Sequence, residues 1–194
     1  MSRHHNIAAL VLSSALLASC ASMNSNTEVP PNAFRLSSPT YPDNTIMPRK
    51  HAGNAKDNAN CIGDNVSPAM QWVNAPAKTR SFALIMDDQA GQAGLGVSHW
   101  VAYGIPANVT SFAEGETSAA SPKYIGGTSS RKLSTYFGPC TPKGNAPQHY
   151  VFTMIATDLE PGALRPGLTR QELLGQLKGH ALRAASLVLR FVNP

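Results

Sequence analysis

At 194 residues, 42% of them hydrophobic and 14% charged, the chain can bury one substantial core and has room for one domain with short extensions. Its 16 Lys and Arg against 11 Asp and Glu leave a formal charge of +5, and no dense basic block with interleaved aromatics occurs, which excludes nucleic-acid binding from the classes considered. The 3 cysteines form no Cys-x-x-Cys pair and meet no His/Cys cluster, so no metal site and no cofactor is expected.

The chain opens with Arg3 and an apolar, small-residue run over residues 7–18. That run falls short of the about 20 apolar residues that a bilayer span requires, and it reads as an export signal. It ends Leu17-Ala18-Ser19-Cys20, which resembles the lipobox of bacterial lipoproteins. On that resemblance residues 1–19 are a signal peptide and Cys20 is the acylated residue. The competing reading is an ordinary secretory signal, with Cys20 incidental. Ala21 rather than Asp follows the cysteine, which implies outer-membrane sorting in a source with two membranes. The expected location is therefore the cell envelope, lipid-anchored, facing the periplasm in such a source. Residues 20–33 are polar, carry Pro30-Pro31 and cannot bury much apolar surface, so a flexible tether is expected there. Residues 34–194 form the domain.

Within the domain, runs rich in Val, Ile, Phe and Tyr alternate with Gly, Pro and Asn, the pattern of a β framework. Residues 82–86 are continuously apolar, as in a strand buried on both faces, and Asp87-Asp88 closes the run. Over residues 97–105, alternation puts Val97, His99, Val101, Tyr103 and Ile105 on one face and Ser98, Trp100, Ala102 and Gly104 on the other. His99 is thus expected to point away from the side that Trp100 occupies. Residues 107–135 lack apolar periodicity, and a loop of that length in a small domain is functional or mobile, or a surface excursion without a role. Residues 150–156 read as another buried strand. Thr169-x-x-Glu172 is a capping box, with Leu173, Leu174 and Leu177 behind it, and predicts a helix interrupted near Gly179. Residues 181–185 are expected to continue as a second helical piece, with His180 packing or capping it, and residues 187–192 as a closing strand.

Three polar islands carry candidate chemistry. Asp88 ends a buried strand, where a carboxylate must be paired or hydrogen-bonded because burying it alone costs several kcal/mol. His99 offers one donor and one acceptor when neutral and two donors when protonated. In Gly138-Pro139-Cys140-Thr141-Pro142 the prolines fix φ and glycine allows a tight backbone, so the loop can present backbone groups to an anion or serve as a rigid turn. No G-x-S-x-G, H-E-x-x-H or P-loop occurs, and Ser98 cannot pair with its neighbour His99 across a strand. An enzyme is therefore not expected.

Gly63-Asp64-Asn65-Val66-Ser67-Pro68 with Trp72 and Pro76, then Ser81-Phe82-Ala83-Leu84, Asp88, His99-Trp100, Gly138-Pro139-Cys140 and Gly179-His180-Ala181-Leu182, follow one another in an order that resembles the phosphatidylethanolamine-binding protein family. The nearest resemblance is to its bacterial Raf-kinase-inhibitor-like branch. It implies a mainly β fold, an antiparallel Greek-key β-sandwich with a few peripheral helices including one near the C-terminus. It also implies a pocket lined by Asp88, His99, Gly138, Pro139, Gln148 and Tyr150. Three departures stand out: Asp88-Gln89-Ala90-Gly91 replaces Asp-Pro-Asp-Ala-Pro, Thr141 replaces a proline, and Gln148-His149-Tyr150 replaces His-Arg-Tyr. The pocket would then hold one imidazole rather than two. Cys61 and Cys140 form an even pair in an exported domain, and the resemblance puts both at one end of the fold; a disulfide is expected, with two free thiols the alternative. The function implied is a non-catalytic extracytoplasmic binding protein for a phospholipid headgroup, a phosphate or a carboxylate. A protein-interaction module that inhibits an extracytoplasmic hydrolase or protease is the competing class.

Overall fold

The computed structural model describes residues 29–194; the expected export signal, Cys20 and the expected tether up to residue 28 lie outside them. Strands β1 (Arg35–Ser37), β2 (Thr45–Ile46), β3 (Met70–Val73), β4 (Ser81–Asp88), β5 (Val97–Pro106), β6 (Ser111–Phe112), β7 (Ile125–Gly126), β8 (Gln148–Thr157) and β9 (Ala181–Phe191) form two sheets. Their orders are β1-β3-β6 and β2-β9-β8-β4-β5-β7. The fold is mainly β with few helices, as expected. The expectation of purely antiparallel sheets fails at one edge, where β2 runs parallel to β9 with Thr45 opposite Leu189. That edge is pinned by the segment just before it: the Asn44 N–H donates to the Val188 carbonyl, and Asp43 Oδ1 accepts the Val188 N–H, both at 2.7 Å.

β4 is the central strand, hydrogen-bonded to β5 on one side and β8 on the other. Phe82, Leu84 and Met86 face the main core, which both sheets build; Trp72 of β3 meets Phe82 edge-on at 5.8 Å between ring centroids. Ala83 and Ile85 face a second, smaller core with Val101, Tyr103, Leu173 and Leu177. The helix Arg170–Gln176 covers that face, and its capping box is complete: Thr169 Oγ1 accepts the Glu172 N–H while Glu172 accepts the Thr169 N–H. Seven residues are too few for a helix to persist alone. Burial of Leu173 and Leu177, at about 1.5–3 kcal/mol each, outweighs the ~1 kcal/mol of the cap and holds the helix in place.

Residues 181–185 belong to β9 and not to a second helical piece. Gly179 takes φ +84°, which turns the chain out of the helical direction, and β9 then pairs with β8 along its whole length, from Thr157 opposite Ala181 to Gln148 opposite Phe191. Alanine's helix preference amounts to tenths of a kcal/mol per residue and yields to that ladder. His180 caps no helix; its Nδ1 lies 2.8 Å from Asp158 Oδ1 at the turn into β9. Residues 107–135 are no structureless excursion either. They carry β6, a 3-10 turn at Glu116–Ser118 and β7, anchored by buried Phe112, Thr117, Tyr124 and Ser129.

Candidate functional site

The site forms where β4 ends and β8 begins. Asp88 lies directly opposite Tyr150 in the ladder, two residues beyond the pair Met86–Phe152, so both side chains extend the main core's row to the surface. His99 reaches the same face through an irregularity that the alternation pattern does not show. Trp100 pairs with Met86 but Ser98 pairs with Asp87, leaving His99 as an extra residue in β5, a β-bulge. The bulge turns His99 to the side of Trp100 and not away from it: the imidazole packs edge-on against Tyr150, 5.1 Å between centroids, and Trp100 shares the main core with that tyrosine. A second shift, between Phe82 and Leu84, moves Ile105 to the main-core face as well. There Gly104 takes φ +60°, and a Cβ on it would stand 2.2 Å from the Pro161 carbonyl oxygen. Asp87 faces the opposite side and binds Arg170, Nε to Oδ2 at 2.7 Å.

Asp88, His99, Gln148 and Tyr150 line a cleft of about 700 Å³. Asp88 is 3% exposed; its Oδ1 accepts the Ala90 and Gly91 N–H groups at 2.9 and 3.1 Å, which answers the cost of burying the carboxylate. His99 is 7% exposed, and its Nδ1 lies 3.0 Å from the Phe137 carbonyl oxygen. A carbonyl only accepts, so the neutral ring carries its hydrogen on Nδ1 and a lone pair on Nε2. No described residue donates to that lone pair. Burial lowers the His99 pKa from the ordinary histidine value, against the opposing pull of the Phe137 carbonyl and the Asp88 carboxylate. The Tyr150 hydroxyl lies 2.8 Å from Thr141 Oγ1 and donates to Gln148 Oε1 at 3.3 Å. Burial raises its pKa, and the nearby Asp88 carboxylate adds to that, so it stays a phenol.

Gly138 and Pro139 do not line the cleft. Both are buried behind it: the Gly138 N–H donates to Asn65 Oδ1 at 2.8 Å, and the Pro139 carbonyl accepts the Gly53 N–H at 2.8 Å. Glycine is required at 138 because a Cβ would stand 1.9 Å from the His51 carbonyl oxygen. The wall at this point is made by Phe137 and Cys140. Cys140 is bonded to Cys61, Cα to Cα 4.4 Å, across a separation of 79 residues. The bond joins the 138–142 loop to the segment that supplies Asn58 and Asn60 to the cleft.

Sequence reasoning also missed Arg131. Its guanidinium lies 4.9 Å from the Phe137 ring centroid and 3.1 Å from Asp57 Oδ1, fixed at the cleft's edge by a cation–π contact and an ion pair. Asn58, Asn60 and Asn145 complete a polar wall around it. Nothing in the pattern of residues 107–135 marks Arg131, because only the fold brings it to the cleft. Across the cleft, Gln92 and Ala93 take left-handed conformations, at φ 50° and 58°.

The family model for phosphatidylethanolamine-binding protein matches residues 37–192, and the chain belongs to that family. Similar proteins include the Escherichia coli UPF0098 protein YbhB, 30% identical over 152 residues, covering 77% of this chain and 94% of YbhB. LppC of Mycobacterium tuberculosis, provisionally named a lipoprotein, is 36% identical over 135 residues, which span 66% of this chain and 59% of LppC. Among solved structures, Escherichia coli YbcL superposes with a TM-score of 0.73 at 23% identity, covering 83% of this chain and 99% of YbcL. At that identity the likeness is one of fold.

Two outcomes follow from this geometry. His51 is fully buried between the Val66 carbonyl and the Tyr41 hydroxyl, and burial lowers its pKa as it does that of His99. Groups held neutral in the fold bind a proton more readily once unfolded, so the stability they leave intact above about pH 6.5 is lost as pH falls below it. Unfolding free energies from urea titrations should decline by up to about 1.4 kcal/mol per pH unit for each histidine, and less steeply in His99→Gln. A flat profile between about pH 7 and 5 contradicts this. Removing the disulfide, as Cys61→Ser with Cys140→Ser, should cost roughly 4 kcal/mol in the chain-entropy picture for a loop of 79 residues. Free thiols at both positions in the unreduced, denatured protein would refute the bond.

Proposed function

We propose that the chain is a non-catalytic, extracytoplasmic binding protein whose cleft takes a small anionic ligand: a phospholipid headgroup, a phosphate or a carboxylate. One observation carries the reading. A cavity of ligand size carries the Arg131 guanidinium on its wall, and at its floor His99, held by the Phe137 carbonyl beside the Asp88 carboxylate, becomes a second donor to an anion when it takes up a proton. Arg131 and the amides of Asn58, Asn60, Asn145 and Gln148 offer donors around them. Pre-formed polar groups on strand ends give orientation without reordering cost. The cleft's one cysteine is committed to a disulfide and cannot serve as a nucleophile.

Gln148 occupies the cleft wall beside Tyr150 and stays uncharged at every pH. Gln148→His should add a donor and a positive charge below about pH 6.5, where a charge-assisted hydrogen bond contributes about 1.5–3 kcal/mol. Phosphate affinity, followed by calorimetry or by NMR shifts of residues 88–91, 99 and 148–150, should rise near pH 5.5 by about tenfold or more and change little near pH 8. An unchanged profile would remove Gln148 from the binding wall; a wild type whose cleft signals ignore every oxyanion would end the anion reading itself.

Attachment to the envelope rests on Cys20. Among the described residues no helix is long and apolar enough to cross a membrane. A diacylglyceryl group with an N-acyl chain would bury many methylenes at about 0.8 kcal/mol each, ample for stable anchoring. Cys20→Ala should move the protein from the membrane to the soluble fraction. A wild type already soluble after fractionation contradicts the anchor.

A further inference from the structure

The chain enters the domain at the end of the sheets opposite the cleft. Asn74 Nδ2 donates to the Pro31 and Ala33 carbonyls at 2.9 and 3.1 Å, and Phe34 then stacks on Phe82, 6.0 Å between ring centroids. Phe82 is the second residue of β4 and Asp88 the last. At about 3.3 Å per residue, the entry point therefore stands roughly 20 Å from the cleft. β9 begins, and β5 and β8 end, at the same pole, where Ser81 pairs with Pro106 and Thr157, and Thr157 with Ala181. This pole is cationic. Arg35 at the start of β1, Lys78 and Arg80 before β4, Lys178 before β9 and Arg183 near its start are all exposed, against the acids Asp158 and Glu160. Glu160 pairs with Arg80, and Asp158 with His180. Among the described residues, Arg35, Lys78, Lys178 and Arg183 pair with no acid.

We propose that this pole docks on an anionic bilayer, so that an anchored molecule holds its cleft away from the membrane and open to the aqueous compartment. The proposal rests on the anchor at Cys20. About ten residues separate Cys20 from Pro31, and a relaxed coil of that length spans roughly 17 Å. That segment carries one acid, Glu28, and no Lys or Arg, so the pole holds the cations nearest the lipid. They can come within the Debye length of about 8 Å from the headgroups without stretching the expected tether. Each Lys or Arg that reaches an anionic surface raises the docked population by about fivefold. Turning the other way would bring down Lys56, Lys132 and Lys143, the exposed cations around the cleft, but would first draw the chain out along the length of β4. Lipid chains hold the molecule at the membrane; the charges choose which end faces it.

The test couples Cys20 of the unacylated chain, residues 20–194, to a maleimide phospholipid in bilayer discs that hold anionic lipid and a lipid with a gadolinium-chelating headgroup. Cys61 and Cys140 are bonded to each other, so only Cys20 reacts. Attachment is then fixed whether or not a cell acylates that residue, and the Cys20→Ala fractionation tests the anchor separately. Amide NMR signals of residues 77–80 and 178–183 should broaden strongly, and those of residues 130–133 and 143–146 should be spared. Lys78→Gln with Lys178→Gln should lower the docked-to-free ratio by about 25-fold, fivefold for each charge. Neutral discs, or about 0.5 M salt, should level the contrast in the same way. Lys132→Gln with Lys143→Gln should leave it as it is. Equal broadening at both poles, or stronger broadening around Lys132 and Lys143, overturns the proposal. So does a contrast that ignores both the lipid charge and the Lys78→Gln, Lys178→Gln variant, because the tether alone would then account for it.

Discussion

The register of β4 against its two neighbours is the constraint on which the rest depends. β4 is buried on both faces, so each of its side chains must match one of two cores, and a slip of one residue would exchange them all. With Phe82, Leu84 and Met86 committed to the main core, Asp88 has to end that row, and Tyr150 has to stand opposite it. The carboxylate is tolerable there because the chain turns at once and returns two N–H groups to it. Position and solvation of the acid are thus settled by one strand and the first residues after it.

The imidazole depends on a local violation of the same order. In an unbroken β5, His99 would share a face with Val101 and Tyr103, beneath the helix Arg170–Gln176 and away from Asp88. The bulge supplies the extra residue that turns both His99 and Trp100 to the main-core side, and the ladder resumes correctly on either side of it. Bulges carry such a role because they redirect one side chain without moving the sheet. The Phe137 carbonyl then selects the tautomer, so the fold decides which face of the ring chemistry the cleft meets.

Much of this was legible in the residues alone, and the remainder was not for physical reasons. The continuous apolar run of β4 and the capping box of Thr169 and Glu172 are local signals, and they placed a buried strand and a helix where both occur. Asp88, His99, Gln148 and Tyr150 could be named because each stands in or beside a strand whose end is marked in sequence. The bulge at His99 leaves no such mark, since it exists only as a mismatch between two strands about ten residues apart. β9 was half misread because Ala184 and Ala185 favour a helix locally and a strand only when β8 is present. Gly138 was misassigned for a related reason. A glycine kept for close approach and one kept to open a backbone anion site look alike until His51 and Asn65 are seen against it.

The replaced residues redistribute rigidity around the cleft. The loop after Asp88 has lost both prolines of the motif it resembles, and it holds Gln92 and Ala93 in left-handed conformations that cost roughly 1–2 kcal/mol each for residues with a Cβ. The opposite wall compensates. Thr141, standing where the motif has proline, gives up a fixed φ, but its hydroxyl orients Tyr150 and its carbonyl accepts Asn193 Nδ2 at 3.0 Å. The Cys61–Cys140 bond fastens that wall to the Asn58–Asn60 segment. One side of the cleft is therefore clamped by a covalent bond and buried hydrogen bonds, while the other rests on a short strained turn with exposed Leu95 at its end. Because Asp88 is solvated by that turn's own N–H groups, any rearrangement of the turn changes what the carboxylate can offer a ligand. The ladder fixes where the acid stands, and the turn fixes which of its oxygens is already taken.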